Sequence, residues 1–346
     1  MEIAASPPEP VQTPQEHAAA ADSHSLLFEL LAFRFQFSAR ELIHFPPGKS
    51  GNIVRGAFGT IFRRIACVPD CPGARTCDLR ATCPYARIFE PAASGRGPSG
   101  LADWPRPFVF RAAHLDGHTI RPGESFHFDV HLFDCRDPAL AYFVLAFAQL
   151  AREGLGPGRR LAGLVAVHQL DIHRQPVKKV FNGETVLLQE SLYTLRLDLN
   201  PDPNPVARVT VRFVTPTELK SGQKLASRPD FPILFGRIRD RISTLRALYG
   251  PGPLPIDFRA MGGRAAAIQM LRCALRHAEA ARRSARTGQT HPLGGFLGEA
   301  EYAGDLAEFL PYLRAAAWTG VGRQTVWGKG EVEVAEPEGP ARRPAR

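Results

Sequence analysis

No run of about 18 to 20 consecutive apolar residues occurs in the chain, so no membrane-crossing helix is expected. The first residues have neither a basic start nor an apolar stretch behind it, which argues against a secretory leader and for a cytoplasmic protein. Two nucleotide-binding fingerprints are also missing. Gly48-Lys49-Ser50 ends like a phosphate-binding loop, but Ile43 stands where its first glycine belongs. The dinucleotide fingerprint needs a strand before and a helix after. The one glycine-rich stretch near the C-terminus reads the other way round, with Thr325 at the third glycine position. Lysine is scarce and acidic residues are outnumbered: the net charge is +9, from 43 Lys and Arg against 34 Asp and Glu, and arginine carries most of it. An excess of that sign suits a phosphate-rich partner, nucleic acid before an anionic membrane. An arginine-rich composition alone accounts for it equally well.

At roughly 150 residues per domain, 346 residues suggest about two domains. Residues 1–25 are rich in Ala, Pro and Glu without periodicity and read as a disordered tail, as do residues 336–346. Order begins near Leu26. Phe33, Phe35 and Phe37 alternate with polar residues, the signature of a half-buried strand. A helix is predicted from Ser50 to Ala66, strands around Phe108 and at Phe126–Leu132, a helix over Ala139–Arg152, and a strand over Leu161–His173. On Phe126–Leu132 the opposite face, with His127, Asp129 and His131, reads as solvated. Strand, helix, strand, strand, helix, strand is the ferredoxin-like order. It restarts after about residue 185, with strands at Leu195–Leu199 and Val209–Phe213 and a helix over Phe231–Tyr249. A second, arginine-rich helix is predicted over Arg264–Arg286, then a strand at Gly295–Tyr302, a helix at Leu306–Ala317 and a strand at Val326–Val334. The expected fold is therefore α+β: two tandem ferredoxin-like domains, residues 26–185 and 186–335.

Two stretches carry chemistry. Cys67, Cys71, Cys77 and Cys83 follow C-x3-C-x5-C-x5-C, an insertion spanning residues 67–90 of the first domain. Four thiolates in seventeen residues can surround one tetrahedral metal, zinc by default and an iron–sulfur cluster as second choice; two disulfides or four free thiols are the plainer readings. The second stretch is Gly320-Val321-Gly322-Arg323-Gln324-Thr325-Val326-Trp327-Gly328-Lys329-Gly330. Gly320, Gly322, Gly328 and Gly330 would let the main chain approach a phosphate with bare amides, Arg323 and Lys329 would add charge, and Trp327 could stack on a base. A glycine hairpin that merely turns the chain is the competing reading.

Four further stretches, in this order and spacing, carry a resemblance. They are Arg55-Gly56-Ala57-Phe58-Gly59; Cys83-Pro84-Tyr85-Ala86 with Phe89-Glu90-Pro91; Pro107-Phe108-Val109 followed by Pro122-Gly123-Glu124; and Tyr302-Ala303-Gly304 leading through Leu306 and Leu310-Pro311 to the glycine loop. With duplicated ferredoxin-like halves they resemble the RAMP superfamily of CRISPR-associated proteins, and within it the "Cas-six" endoribonucleases that process precursor RNA. The likeness runs from about Leu26 to Val334. It implies metal-independent cutting of CRISPR repeat RNA by the ribose 2′-OH, leaving a 2′,3′-cyclic phosphate. Such enzymes draw a histidine from near the first helix; the residue at that place is His44, with Lys49 and Arg55 as accompanying cations. A non-catalytic RNA-binding scaffold subunit of a CRISPR complex remains the alternative. Other CRISPR-associated proteins are possible partners under both readings, and no cofactor is implied for catalysis.

Overall fold

The computed structural model describes residues 26–68, 70–74, 76–91, 104–156, 158–187, 192–278, 281–283, 290–292 and 294–336. The predicted tails, apart from Glu336, lie outside the described residues. In the first half the strands are β1 (Leu27–Ala39), β2 (Ile43–His44), β3 (Phe108–Arg111), β4 (Thr119–Ile120), β5 (Ser125–Leu132), β6 (Ala162–Leu170), β7 (Pro176–Phe181) and β8 (Leu195–Asp198). The helices are α1 (Ser50–Ala66), α2 (Pro84–Phe89) and α3 (Leu140–Glu153). The sheet runs β3-β5-β1-β6-β7, with β8 pairing the start of β1. Taken as β1, β3, β5 and β6, the four framework strands lie in the antiparallel order 4-1-3-2 of a ferredoxin-like unit.

The second half repeats this order. Its strands are β9 (Arg208–Thr217), β10 (Lys220–Ser221), β11 (Lys224–Leu225), β12 (Gln269–Ala278), β13 (Ala281–Arg283), β14 (Thr290–Pro292), β15 (Gly295–Ala303) and β16 (Val332–Ala335). Its helices are α4 (Phe231–Tyr249), α5 (Phe258–Ala265) and α6 (Leu310–Thr319). The sheet order β12-β15-β9-β16 is again 4-1-3-2.

Three expectations need correction. The arginine-rich helix predicted over Arg264–Arg286 is instead the end of α5 and the strand β12. The ferredoxin order requires a strand there, and β12 pairs along its length with β15. It is an edge strand exposed on both faces, so it carries no alternating pattern for a sequence reading to find. The strand at Leu195–Asp198 does not open the second half but joins the first sheet beside Leu27–Leu30. Finally, the outer face of β5 is only partly solvated, because Asp129 and His131 are buried.

Two cores explain why these residues fold together. Leu31, Phe33, Phe35 and Phe37 of β1 pack with Phe58 and Phe62 of α1 and Phe143 and Phe147 of α3. Phe58 alone stacks on Phe143 and Phe147 at centroid separations of 4.8 and 5.0 Å. The alternate residues Phe28, Leu30 and Ala32 join the second core, with α4 and α6. One strand thus supplies both cores, which ties the halves together.

α6 ends against the outer face of the first sheet. A helix leaves its last carbonyls without helical partners, and here they meet a set of donors. Arg111 Nη2 donates to the Trp318 carbonyl at 2.9 Å, Arg174 Nη2 to Ala317 at 3.3 Å, and Arg241 Nε to Thr319 at 3.0 Å. His131 Nδ1 lies 2.9 Å from the Trp318 carbonyl. A carbonyl can only accept, so Nδ1 carries the imidazole proton. Burial, and then Arg111, holds His131 well below the usual histidine range.

This fixes a pH dependence. The unfolded histidine takes up a proton near pH 6.5 while the buried one does not, so the unfolded state binds more protons below that pH. Stability is therefore complete above about pH 6.5 and declines as pH falls through it. His127 and His168, also lowered by burial, contribute in the same direction. Urea unfolding midpoints should drop between about pH 7.5 and 5.5, the range that brackets an ordinary histidine. The drop should be smaller in His131→Gln, whose amide donates to the same carbonyl without titrating. An equal drop in both proteins would remove His131 from the account.

Candidate nucleic-acid interface

Between the halves lies a cleft of about 1520 Å3. One wall comes from α1, α2, the end of α3 and residues 104–106; the other from α4, the β9–β10 turn and the glycine-rich loop. The first wall supplies Arg55, Arg63, Arg64, Arg106 and Arg159. The second supplies Lys220, Arg237, Arg241 and Arg323. Among the described residues four carboxylates, Glu90, Glu153, Glu218 and Asp240, line the same space, so these side chains leave the cleft positive.

Helix α1 enters the wall with its N-terminus already satisfied. The Asp116 carboxylate accepts from the Lys49 and Ser50 amides at 3.1 and 2.9 Å. The third turn of the helix is small for a reason: a Cβ on Gly59 would lie 2.3 Å from the Phe89 ring. Phe89 in turn faces Arg55, whose guanidinium is 4.7 Å from the centroids of both Phe89 and Trp327. Arg55 thus stands between two rings from opposite walls.

The glycine-rich loop differs from its sequence reading. It is packed on the protein and not spread toward solvent. A Cβ on Gly330 would lie 1.9 Å from the Val321 carbonyl, and one on Gly51 would lie 2.8 Å from the Gly328 Cα. Gly320 and Gly322 are likewise in the left-handed region against neighbouring atoms. The Val321 amide donates to Gly330, the Arg323 amide to Glu218, and the Gly330 amide to Pro216. Val321 is buried in the second core and Val326 in the first. Lys329 is buried too: its ammonium donates to the Gly294 carbonyl at 2.6 Å and lies 3.3 Å from Glu218. Burial lowers its pKa and Glu218 opposes that. Lys329 and the Gly320, Arg323, Gly328 and Gly330 amides, expected to face a phosphate, are thus bonded within the protein. Gly322 to Trp327 of the loop line the cleft, and of its charged side chains Arg323, 47% exposed and 3.6 Å from Glu218, is the one that does.

His44 and Lys49 do not line the cleft. His44 is exposed on β2, with Nδ1 2.9 Å from the Thr119 hydroxyl on β4. Its carbonyl lies beside Gly156, which does line the cleft. Lys49 is the N-cap of α1. The four cysteines line a separate small pocket between α1 and α2. Arg106, Arg159 and Glu218 went unnoticed in the sequence, because isolated charges in loops carry no periodic signal. Arg237 and Arg241 line the cleft from α4, while their neighbour Arg239 bonds to the Phe258 carbonyl and Asp240.

A family model described as CRISPR-associated endoribonuclease Cas6 matches residues 211–332, and one described as an N-terminal domain matches residues 28–192. No match to a curated protein sequence was found. Among solved structures, a Cas6 product complex from Thermus thermophilus is 18% identical, with a TM-score of 0.52 over 88% of this chain and 99% of that one. A partial Cas6-RT-Cas1–Cas2 complex is 12% identical, with a TM-score of 0.53 over 90% of this chain and 46% of that one. The chain thus has the duplicated ferredoxin-like fold of these solved structures along its described length, and its residues 211–332 match the family model of the CRISPR-associated endoribonuclease Cas6.

Proposed function

We propose that the chain binds CRISPR repeat RNA in the basic cleft and cuts it, without a metal, by attack of a ribose 2′-OH on the adjoining phosphate. The observation that carries the reading is the cleft itself: among the described residues nine cationic side chains line it against four carboxylates, with the Trp327 indole and the Arg55 guanidinium in contact on its lining. A groove of one sign that also offers an aromatic face suits a single-stranded polynucleotide better than a small anion. The family description names an endoribonuclease, and the solved Cas6 structure of the same fold is a product complex. The reaction needs a base for the 2′-OH, cations for the charge that develops on phosphorus, and a backbone held in line. His44 is the proposed base and Lys49 its accompanying cation; Arg55 and Arg323 are the proposed phosphate contacts.

A second reading has its own support. Because His44 and Lys49 lie off the cleft lining, the protein can bind RNA as a non-catalytic subunit of a larger CRISPR assembly.

Labelled repeat RNA incubated with the protein in EDTA separates the two. Cutting at one position with a cyclic-phosphate end is expected; tight binding of RNA that stays intact supports the scaffold. In His44→Ala the rate should fall by roughly 100- to 10,000-fold, the worth of a positioned base, and an unchanged rate eliminates that assignment. The two loop cations should behave differently. Arg323→Ala should weaken binding and flatten its log–log salt dependence by about 0.7 to 0.9 for a lost phosphate contact, at unchanged stability. Lys329→Ala should instead destabilise the fold by about 2 kcal/mol, since it removes the buried ammonium that donates to the Gly294 carbonyl and faces Glu218. Weaker RNA binding by Lys329→Ala at full stability would show that Lys329 is a contact after all.

A further inference from the structure

The cysteine segment has a logic that RNA binding does not use. Cys67 is the C-cap of α1, Cys83 the N-cap of α2, and Cys71 and Cys77 lie in the turns between. All four line one small pocket. Cys67 lies near Cys71 and Cys83, and Cys71 near Cys77. All four are free thiols. Burial, with the neighbouring sulfurs, pushes Cys67 up to about 12, while the Gly73 amide pulls Cys71 down.

The segment does not hold itself together by apolar burial. Val68 and Leu79 are exposed, and its regular structure is one short 3-10 turn, Asp78–Ala81. A loop this small without a core needs a cross-link, a metal or a disulfide. Disulfides join sulfurs in exclusive pairs. Here all four thiols are free and line one pocket, which suits a shared centre.

We propose that Cys67, Cys71, Cys77 and Cys83 bind one zinc ion as a structural site. Around a tetrahedral ion with zinc–sulfur bonds of about 2.3 Å, the sulfurs stand about 3.8 Å apart, which is ordinary sulfur contact spacing. Among the described residues no three metal-ligating side chains yet converge on one centre, so binding draws the four cysteines together. The 3-10 turn between those two already holds them near, with the Arg80 amide donating to Cys77 and the Cys83 amide to Leu79. The balance is simple: four thiols lose four protons and the ion with four thiolates carries two negative charges. Two arginines, Arg63 and Arg80, line the same pocket and match that charge. The cavity is about 20 Å3, room for one water-sized sphere and so for a single ion, not a cluster of several iron and sulfur atoms. The consequence reaches the cleft, because the site would pin the end of α1 to the start of α2, the helix that sets Phe89 against Arg55.

The test is independent of RNA. The full chain, purified from medium supplied with both zinc and iron, should contain about one zinc per chain by elemental analysis. Replacing the zinc with cobalt(II) should give the intense visible bands of tetrahedral cobalt thiolate. Chelation should accelerate amide exchange over residues 84–90 before the rest of the fold responds. Cys71→Ser with Cys77→Ser should lose the metal; if that variant does not fold, the cobalt spectrum of the parent decides. Folded protein without stoichiometric metal, iron with labile sulfide in place of zinc, or two disulfides in the fresh protein would each overturn the proposal.

Discussion

The carboxyl end of α6 is the point on which the rest of the structure depends. Its last carbonyls concentrate partial negative charge, and they are met by Arg111 and Arg174 from the first half and Arg241 from the second. Three guanidinium groups this close repel one another, and burial lowers Arg111 and Arg241 further. The site is tolerable because the helix end faces them and because the fourth donor, His131, stays neutral. Were His131 charged, a further cation would join Arg111 in the interior. The helix end, the imidazole tautomer and the arginines are therefore one device that fixes how the halves meet.

The glycine-rich loop inherits that placement. From Gly320 to Gly330 it leaves the anchored helix end, drops Val321 into the second core and Val326 into the first, and returns as β16. Its glycines permit backbone-on-backbone contact within the protein, notably Gly328 on Gly51 at the start of α1. A segment that looks built for a ligand is thus a fastening between the two walls of the cleft. The side chains it presents, Arg323 and Trp327, are well placed because the backbone beneath them is held.

Much of the framework was legible because it rests on local periodicity. α1 and α4 were bounded by sequence alone, since their buried positions recur at helical spacing. The ferredoxin-like order could be named from the alternation of elements. β12 could not, because an edge strand open on both faces imposes no pattern on its side chains. Within the site, residue types were readable and directions were not. Gly, Arg, Lys and Trp in one loop suggested phosphate contact, but whether Lys329 turns to solvent or to Glu218 is decided by the turn after β9, far away in the chain. His131 shows the same limit: its strand was evident, while the helix end that buries it comes from the other half of the chain.

How the cleft stays both positive and ordered is a question of partners. A carboxylate orders an arginine but cancels its charge, whereas a carbonyl or a ring orders it and leaves the charge in place. The cleft uses the second kind repeatedly: Arg63 donates to the Cys71 carbonyl, Arg106 to Phe89 and Arg241 to Thr319. Side chains restrained in this way lose less freedom when a polyanion arrives. Arg64 and Arg323, which do face carboxylates, sit with Glu153 and Glu218 at partly exposed positions, where such pairs are weak and readily exchanged for phosphate. The cleft thus keeps a positive field in the absence of a ligand, and those two ion pairs are the ones a phosphate could most readily displace.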